Sequence, residues 1–174
     1  MGYEFEEGGN LATIGIDLMD TTFNLSDGTS VKLKIYDSAG QERFYSMNNS
    51  FYSKVDSLIL VYNIKDRRSF ERCSYFSDTI KQNTQKNIKV FLIGNKLDCE
   101  NSREVSKEEG LNYAISNGYF FYETSCKNKT NIQEVFQKLI EETVKAKKLN
   151  DDENGIDNLI LTRKATKRKK KYLC

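Results

Sequence analysis

From Thr13 to Leu25 apolar and polar residues alternate in a stretch rich in β-formers. After the turn SDGT (Ser26 to Thr29), the run VKLKIYD places Val31, Leu33 and Ile35 on one face. Period-two alternation on both sides of a glycine-bearing turn predicts an antiparallel hairpin. Residues Glu42 to Val55 are polar with scattered aromatics and carry only a weak helical signal. Two short continuous apolar runs follow, SLILVYNI (Ser57 to Ile64) and IKVFLIGN (Ile88 to Asn95). Runs of that kind are strands covered on both faces. Between them Arg68 to Gln85 reads as a helix with Phe70, Cys73, Phe76 and Ile80 near one side. Ser106 to Asn117 is a second helix, opened by SKEE in the pattern of a capping box. Tyr119 to Glu123 is a further strand. Asn131 to Leu149 is a long helix with Ile132, Val135, Phe136, Leu139, Ile140 and Val144 along one stripe. Two strands followed by alternating helices and strands predict a three-layer α/β domain with a mostly parallel sheet. Residues from Asn150 onward lack periodicity and are polar and charged, the composition of a disordered tail.

Composition narrows the chemistry. At 174 residues, 38% hydrophobic and 30% charged, the chain has the balance of one globular domain. No apolar run approaches the roughly 18 residues that span a bilayer, and the start MGYEFEEGG is acidic, which places the chain on the cytosolic side. The chain contains no histidine, which excludes Ser-His and Cys-His nucleophilic catalysis. Cys73, Cys99, Cys126 and Cys174 have no metal-binding spacing and read as free thiols. The net charge of +2 is uneven, because residues 163–171 (RKATKRKKK) carry seven basic groups.

In open α/β sheets ligands bind outside the carboxyl ends of the strands, and three unusual polar loops follow strands here. DSAGQ (Asp37 to Gln41) offers a carboxylate able to hold Mg²⁺ through water, a glycine whose N–H can approach a phosphate, and a glutamine able to orient water. NKLD (Asn95 to Asp98) ends in a carboxylate that can accept two hydrogen bonds from guanine. A buried carboxylate left unpaired by adenine would reject that base by a factor on the order of 10⁴. TSCK (Thr124 to Lys127) can supply backbone donors to a purine carbonyl.

With these motifs in this order, the chain resembles the Ras superfamily of small GTP-binding proteins, and within it the Rab family, from about Thr13 to Leu149. TIGID (Thr13 to Asp17) resembles the first switch and YDSAGQERF (Tyr36 to Phe44) the second; IGIDL, KLKIY, QERFYSM and FYSKVDS are similar to stretches that distinguish Rabs. The resemblance implies that Thr13 and Asp37 serve Mg²⁺, that Gly40 meets the terminal phosphate, and that Gln41 orients the attacking water. It makes Asn95, Lys96, Asp98, Ser125, Cys126 and Lys127 the guanine site. It implies GTP and GDP as ligands, with effectors, an exchange factor and a GTPase-activating protein as partners on the switches. Ser38, Tyr36 and Cys126 stand where the family usually has threonine, tryptophan and alanine.

One departure is larger. The family's phosphate cradle GxxxxGK[ST] occurs nowhere in the 174 residues, so the first strand, the P-loop and most of the first helix are expected to be missing. Two readings stay open: a fragment of a longer GTPase, or a GTPase-like protein that presents a Rab-like surface without nucleotide. Weak GTP binding or none is expected of the 174 residues, and so is a gap in the sheet between KLKIYD and SLILVYNI. The domain reading is therefore 1–149, incomplete at its start, with a basic tail over 150–174. That tail suggests attachment to an anionic membrane surface on the cytoplasmic face of an intracellular compartment, helped by lipidation of Cys174. A free terminal thiol is the alternative for Cys174; a nucleic-acid role for the basic run has no recognition fold to support it.

Overall fold

The computed structural model describes residues 16–25, 28–38, 52, 54–84 and 88–154. Strands β1 (Ile16–Asn24) and β2 (Ser30–Ser38) form the expected antiparallel hairpin, with Phe23 opposite Val31 and Met19 opposite Ile35. Its turn is closed by Leu25 N–H to Thr29 O at 2.8 Å and by Gly28 N–H to Leu25 O at 3.0 Å. Gly28 has a φ of 82°, a left-handed conformation that glycine adopts without steric cost. Val31, Leu33 and Ile35 are half-buried while Lys32 and Lys34 are exposed, so the predicted alternation is observed.

The second sheet is parallel, in the order β3 (Ser57–Asn63), β4 (Lys89–Asn95), β5 (Phe120–Glu123). Helix α1 (Arg67–Asn83) joins β3 to β4. A 3-10 turn (Leu97–Ser102) and α2 (Lys107–Asn117) join β4 to β5, and α3 (Ile132–Asn154) follows. Side chains alternate across this sheet and divide the core in two. Leu60, Tyr62, Ile64 and Leu92 pack with Cys73 of α1, Ala114 of α2 and Val105. Phe91 and Ile93 pack on the other face with Val135, Leu139, Phe120 and Tyr122. Phe91 and Phe120 stack with centroids 4.6 Å apart, within the favourable range for aromatic pairs. The α/β class and three layers are as expected; the turn at Leu97–Ser102 had no periodicity by which to foresee it.

The two sheets are separate ladders, and among the described residues none joins β2 to β3. Among the described residues no strand pairs with the outer edge of β3. Next to it Ile59 and Val61 of β3 are 38% and 54% exposed, and with Ile93, Val135 and Phe136 they line a groove of about 170 Å³. Helix α3 crosses beyond this groove and is tied to the start of β3 by a Ser57–Thr143 hydroxyl hydrogen bond and a Lys147–Asp56 ion pair of 2.7 Å. It runs to Asn154, five residues past the Leu149 expected as its end and well beyond Val144, where the apolar stripe stops. Helix propagation costs little once a nucleus is formed, so the stripe marks the packed part rather than the end. The weak helical stretch Glu42–Val55 lies mostly outside the described residues.

Candidate functional site

The carboxyl ends of β4 and β5 bring two of the polar loops together. Parallel pairing places Gly94 opposite Glu123, so Asn95 and Thr124 leave the sheet side by side. Thr124 N–H donates to Gly94 O at 2.9 Å and Leu97 N–H to Thr124 O at 2.9 Å, which extends the ladder past the last paired residues. Asn95 turns its side chain across the junction. Its Oδ1 accepts from Thr124 Oγ1 at 3.3 Å and from Cys126 N–H at 3.4 Å.

Lys96 has a φ of 71°, a left-handed conformation that costs a non-glycine residue about 1 kcal/mol. That turn takes the chain out of β4 and into the 3-10 turn, with Cys99 N–H donating to Lys96 O at 2.8 Å. Asp98 then points back toward the second loop. Ser125, almost fully buried, donates from its hydroxyl to Asp98 Oδ1 at 2.5 Å, and the Cys99 thiol donates to Oδ2 at 3.4 Å. The Ser125 hydrogen bond holds the Asp98 carboxyl below its ordinary value, with help from Cys99 and the charge of Lys127. Asp98 is therefore an acceptor with lone pairs to spare.

The second loop is closed on itself. Ser125 N–H donates to Thr130 O at 3.2 Å, Thr130 N–H to Ser125 O at 3.0 Å, and Asn128 N–H to Ser125 Oγ at 3.1 Å. Cys126 and Lys127 project from this loop and are exposed. Six of the residues assigned by sequence, Asn95, Lys96, Asp98, Ser125, Cys126 and Lys127, thus converge. One expectation needs correction: Asp98 is exposed, not buried, because the 3-10 turn carries it on the surface of the site.

Asp37 lies apart, on β2 of the hairpin, paired in register with Asp17 and exposed. An exposed carboxylate suits Mg²⁺ that takes most of its ligands from phosphate and water. Among the described residues no cluster of three or more Cys, Asp or Glu could hold a metal. Thr13, Gly40, Gln41 and Cys174 lie outside the described residues.

Two residues escaped the sequence reading. Glu123, at the end of β5 with a side chain only 6% exposed, is paired with Arg103 at 2.5 Å. Arg103 also grips Glu100, and these two carboxylates raise its pKa above the ordinary arginine value. The signal was available, since a glutamate ending the apolar run YFFYE demands a cation once buried.

Comparison with known proteins falls on the same stretch. The sequence profile of the Ras family matches residues 3–145. Ras-related protein Rab-13 of Canis lupus familiaris is 40% identical over 129 residues, 74% of this chain and 63% of its own length. GTP-binding protein ypt2 of Schizosaccharomyces pombe is 38% identical over 148 residues, covering 85% of this chain and 72% of that protein. Ras-related protein Rab-8B of Pongo abelii is 37% identical over 147 residues. The matched stretch thus spans between about three fifths and three quarters of these relatives' length. With both polar loops inside the matched region, the chain belongs to the Ras family of small GTPases and, within it, to the Rabs.

Proposed function

We propose that this chain reads guanine nucleotides as the base-recognition half of a Rab switch in vesicle traffic. The observation that carries the proposal is the pairing of Asp98 with Ser125 beside Asn95. An ionised carboxylate facing the adjacent N–H groups of guanine satisfies both, whereas adenine presents no matching pair. The backbone N–H of exposed Lys127 would donate to the purine carbonyl, and the stem of Lys96 would cover the ring.

The remaining assignments follow family membership. Thr13 and Asp37 would hold Mg²⁺, which neutralises phosphate charge when bound. Gly40 would donate its N–H to the terminal phosphate of GTP, and Gln41 would orient water for hydrolysis. Effectors, an exchange factor and a GTPase-activating protein would engage the hairpin and the segment after it. The basic run at 163–171 with Cys174 would attach the protein to an anionic membrane on its cytoplasmic face. Among the described residues no helix is long and apolar enough to cross a membrane.

These 174 residues contain no GxxxxGK[ST], so the phosphates lack their usual cradle. The chain is expected to bind weakly and to prefer GTP over guanosine by no more than about tenfold. Calorimetric titration with guanosine, GDP, GTP and ADP tests this. GDP binding over ADP supports base reading, and in Asp98→Asn the preference should move to the xanthine nucleotide, whose 2-oxo group needs a donor. Equal binding of GDP and ADP, or binding of neither, would overturn the proposal.

A further inference from the structure

Base recognition as described depends on two loops from different strands staying in register to within the length of one hydrogen bond, Ser125 to Asp98. Ser125 and Asp98 do not hold that register alone. Two residues beyond Asp98 stands Glu100, and two residues before Ser125 stands Glu123. Both carboxylates end on one guanidinium. Arg103 Nε and Nη2 donate to Glu100 at 2.9 and 2.5 Å, and Nη1 and Nη2 donate to Glu123 at 2.5 and 3.1 Å.

The guanidinium is itself fixed. Nη1 also donates to Val105 O at 2.9 Å, and the Arg103 backbone N–H donates to Glu100 O at 3.1 Å. The side chain is 15% exposed, which shields these charge-assisted bonds from solvent. Glu123 is pinned from its other end as well, since its carbonyl accepts from Asn131 Nδ2 at 2.8 Å. The result is a closed circuit: Asp98, Glu100, Arg103, Glu123, Ser125 and back to Asp98.

We propose that Arg103 is a positioning residue for base specificity: its planar fork between Glu100 and Glu123 holds the Asp98 and Ser125 loops in register. This rests on the reading of Asp98 as the base acceptor. A merely structural role would need only a cation to neutralise Glu123, and lysine would supply one. Lysine cannot reach Glu100, Glu123 and Val105 O together in one plane, so positioning fails with Arg103→Lys while charge is preserved.

The experiment compares the full 174-residue chain with Arg103→Lys in two readouts. The first is the carboxyl titration of Asp98 by carbon-detected NMR without nucleotide. With the net charge unchanged, loss of the Ser125 hydrogen bond should move the Asp98 midpoint up toward that of an ordinary aspartate. An unmoved midpoint overturns the proposal. The second is the ratio of affinities for GDP and for inosine diphosphate, which lacks the 2-amino group. That ratio should fall by about tenfold in Arg103→Lys, the worth of one hydrogen bond to a charged group. An unchanged ratio alongside equal loss for both ligands also overturns it. If the wild type shows no preference between the two nucleotides, the base-reading assignment of Asp98 is what fails, and the NMR titration still decides on Arg103. Should Arg103→Lys lose its native spectrum, Glu123→Gln replaces it. Removing that anion lowers the Asp98 midpoint by direct field, whereas lost register raises it, so the sign decides.

Discussion

Tyr62 brings a hydroxyl into the core between α1, α2 and β4, where that group is buried with no hydrogen-bond partner among the described residues. Burial raises its pKa, chiefly by desolvation. An unpaired buried hydroxyl costs about 1 to 3 kcal/mol, so Tyr62→Phe should raise stability by ~1 kcal/mol in urea unfolding. The same hydroxyl explains two glycines. A Cβ at Gly110 would lie 2.4 Å from Tyr62 Oη and 2.7 Å from Phe121, and one at Gly94 would lie 2.9 Å from Tyr62 Oη. Gly110→Ala should cost about 1 to 3 kcal/mol and cost less in the Tyr62→Phe background, a coupling visible in a double-mutant cycle. Neither glycine was legible as a packing residue, because the ring that demands it comes from another element. Asn95, Asp98 and Ser125 were legible, because each sits in a short motif whose chemistry is local. Glu123 was legible only as an acid in need of a cation; Arg103 could not be named as that cation, being twenty residues away with α2 between them.

At the scale of elements, α2 shows what local sequence can specify. Ser106 accepts from Glu109 N–H at 3.1 Å and Glu109 returns a carboxylate to Ser106 N–H at 2.9 Å, the capping box expected from SKEE. Ser106→Ala should lower stability by about 1 kcal/mol. Glu109 also pairs with Arg67 of α1 at 2.5 Å, and that hydrogen bond, followed by those to Ser106, lowers its pKa to about 2. A depressed folded pKa gives stability that is whole above the ordinary value of 4.5 and is lost as pH falls toward about 2. Arg67→Gln should therefore flatten the acid limb of a stability profile over that window, most clearly at low salt, since the pair is exposed. The apolar stripe of α3 predicted its packed residues well. It could not reveal the turn at Leu97–Ser102, whose shape follows from a left-handed Lys96 and hydrogen bonds to a distant strand.

The whole molecule divides where the two sheets part. The parallel sheet has cores on both faces, while no described side chain of the hairpin is fully buried. Hydrogen exchange should therefore show the β4 amides protected far longer than those of β1 and β2. The edge of β3, unpaired among the described residues and flanked by exposed Ile59 and Val61, is an aggregation hazard of the kind that natural edges block with charge. Val61→Lys should reduce light scattering of concentrated protein and leave its circular dichroism unchanged; equal scattering would place the sticky surface elsewhere. This division was legible in outline, because the alternating hairpin and the doubly apolar strands announce different surroundings.

The reciprocal pair of backbone hydrogen bonds between Ser125 and Thr130 carries a consequence for how a ligand would be met. A loop that already satisfies its own backbone, with Lys129 and Asn131 set at φ values of 57° and 59°, has surrendered its conformational entropy during folding. A base arriving there would meet a finished socket and would have little ordering left to do. If these loops bind a base as proposed, recognition here should then run at docking speed, and a slow step would have to originate outside them.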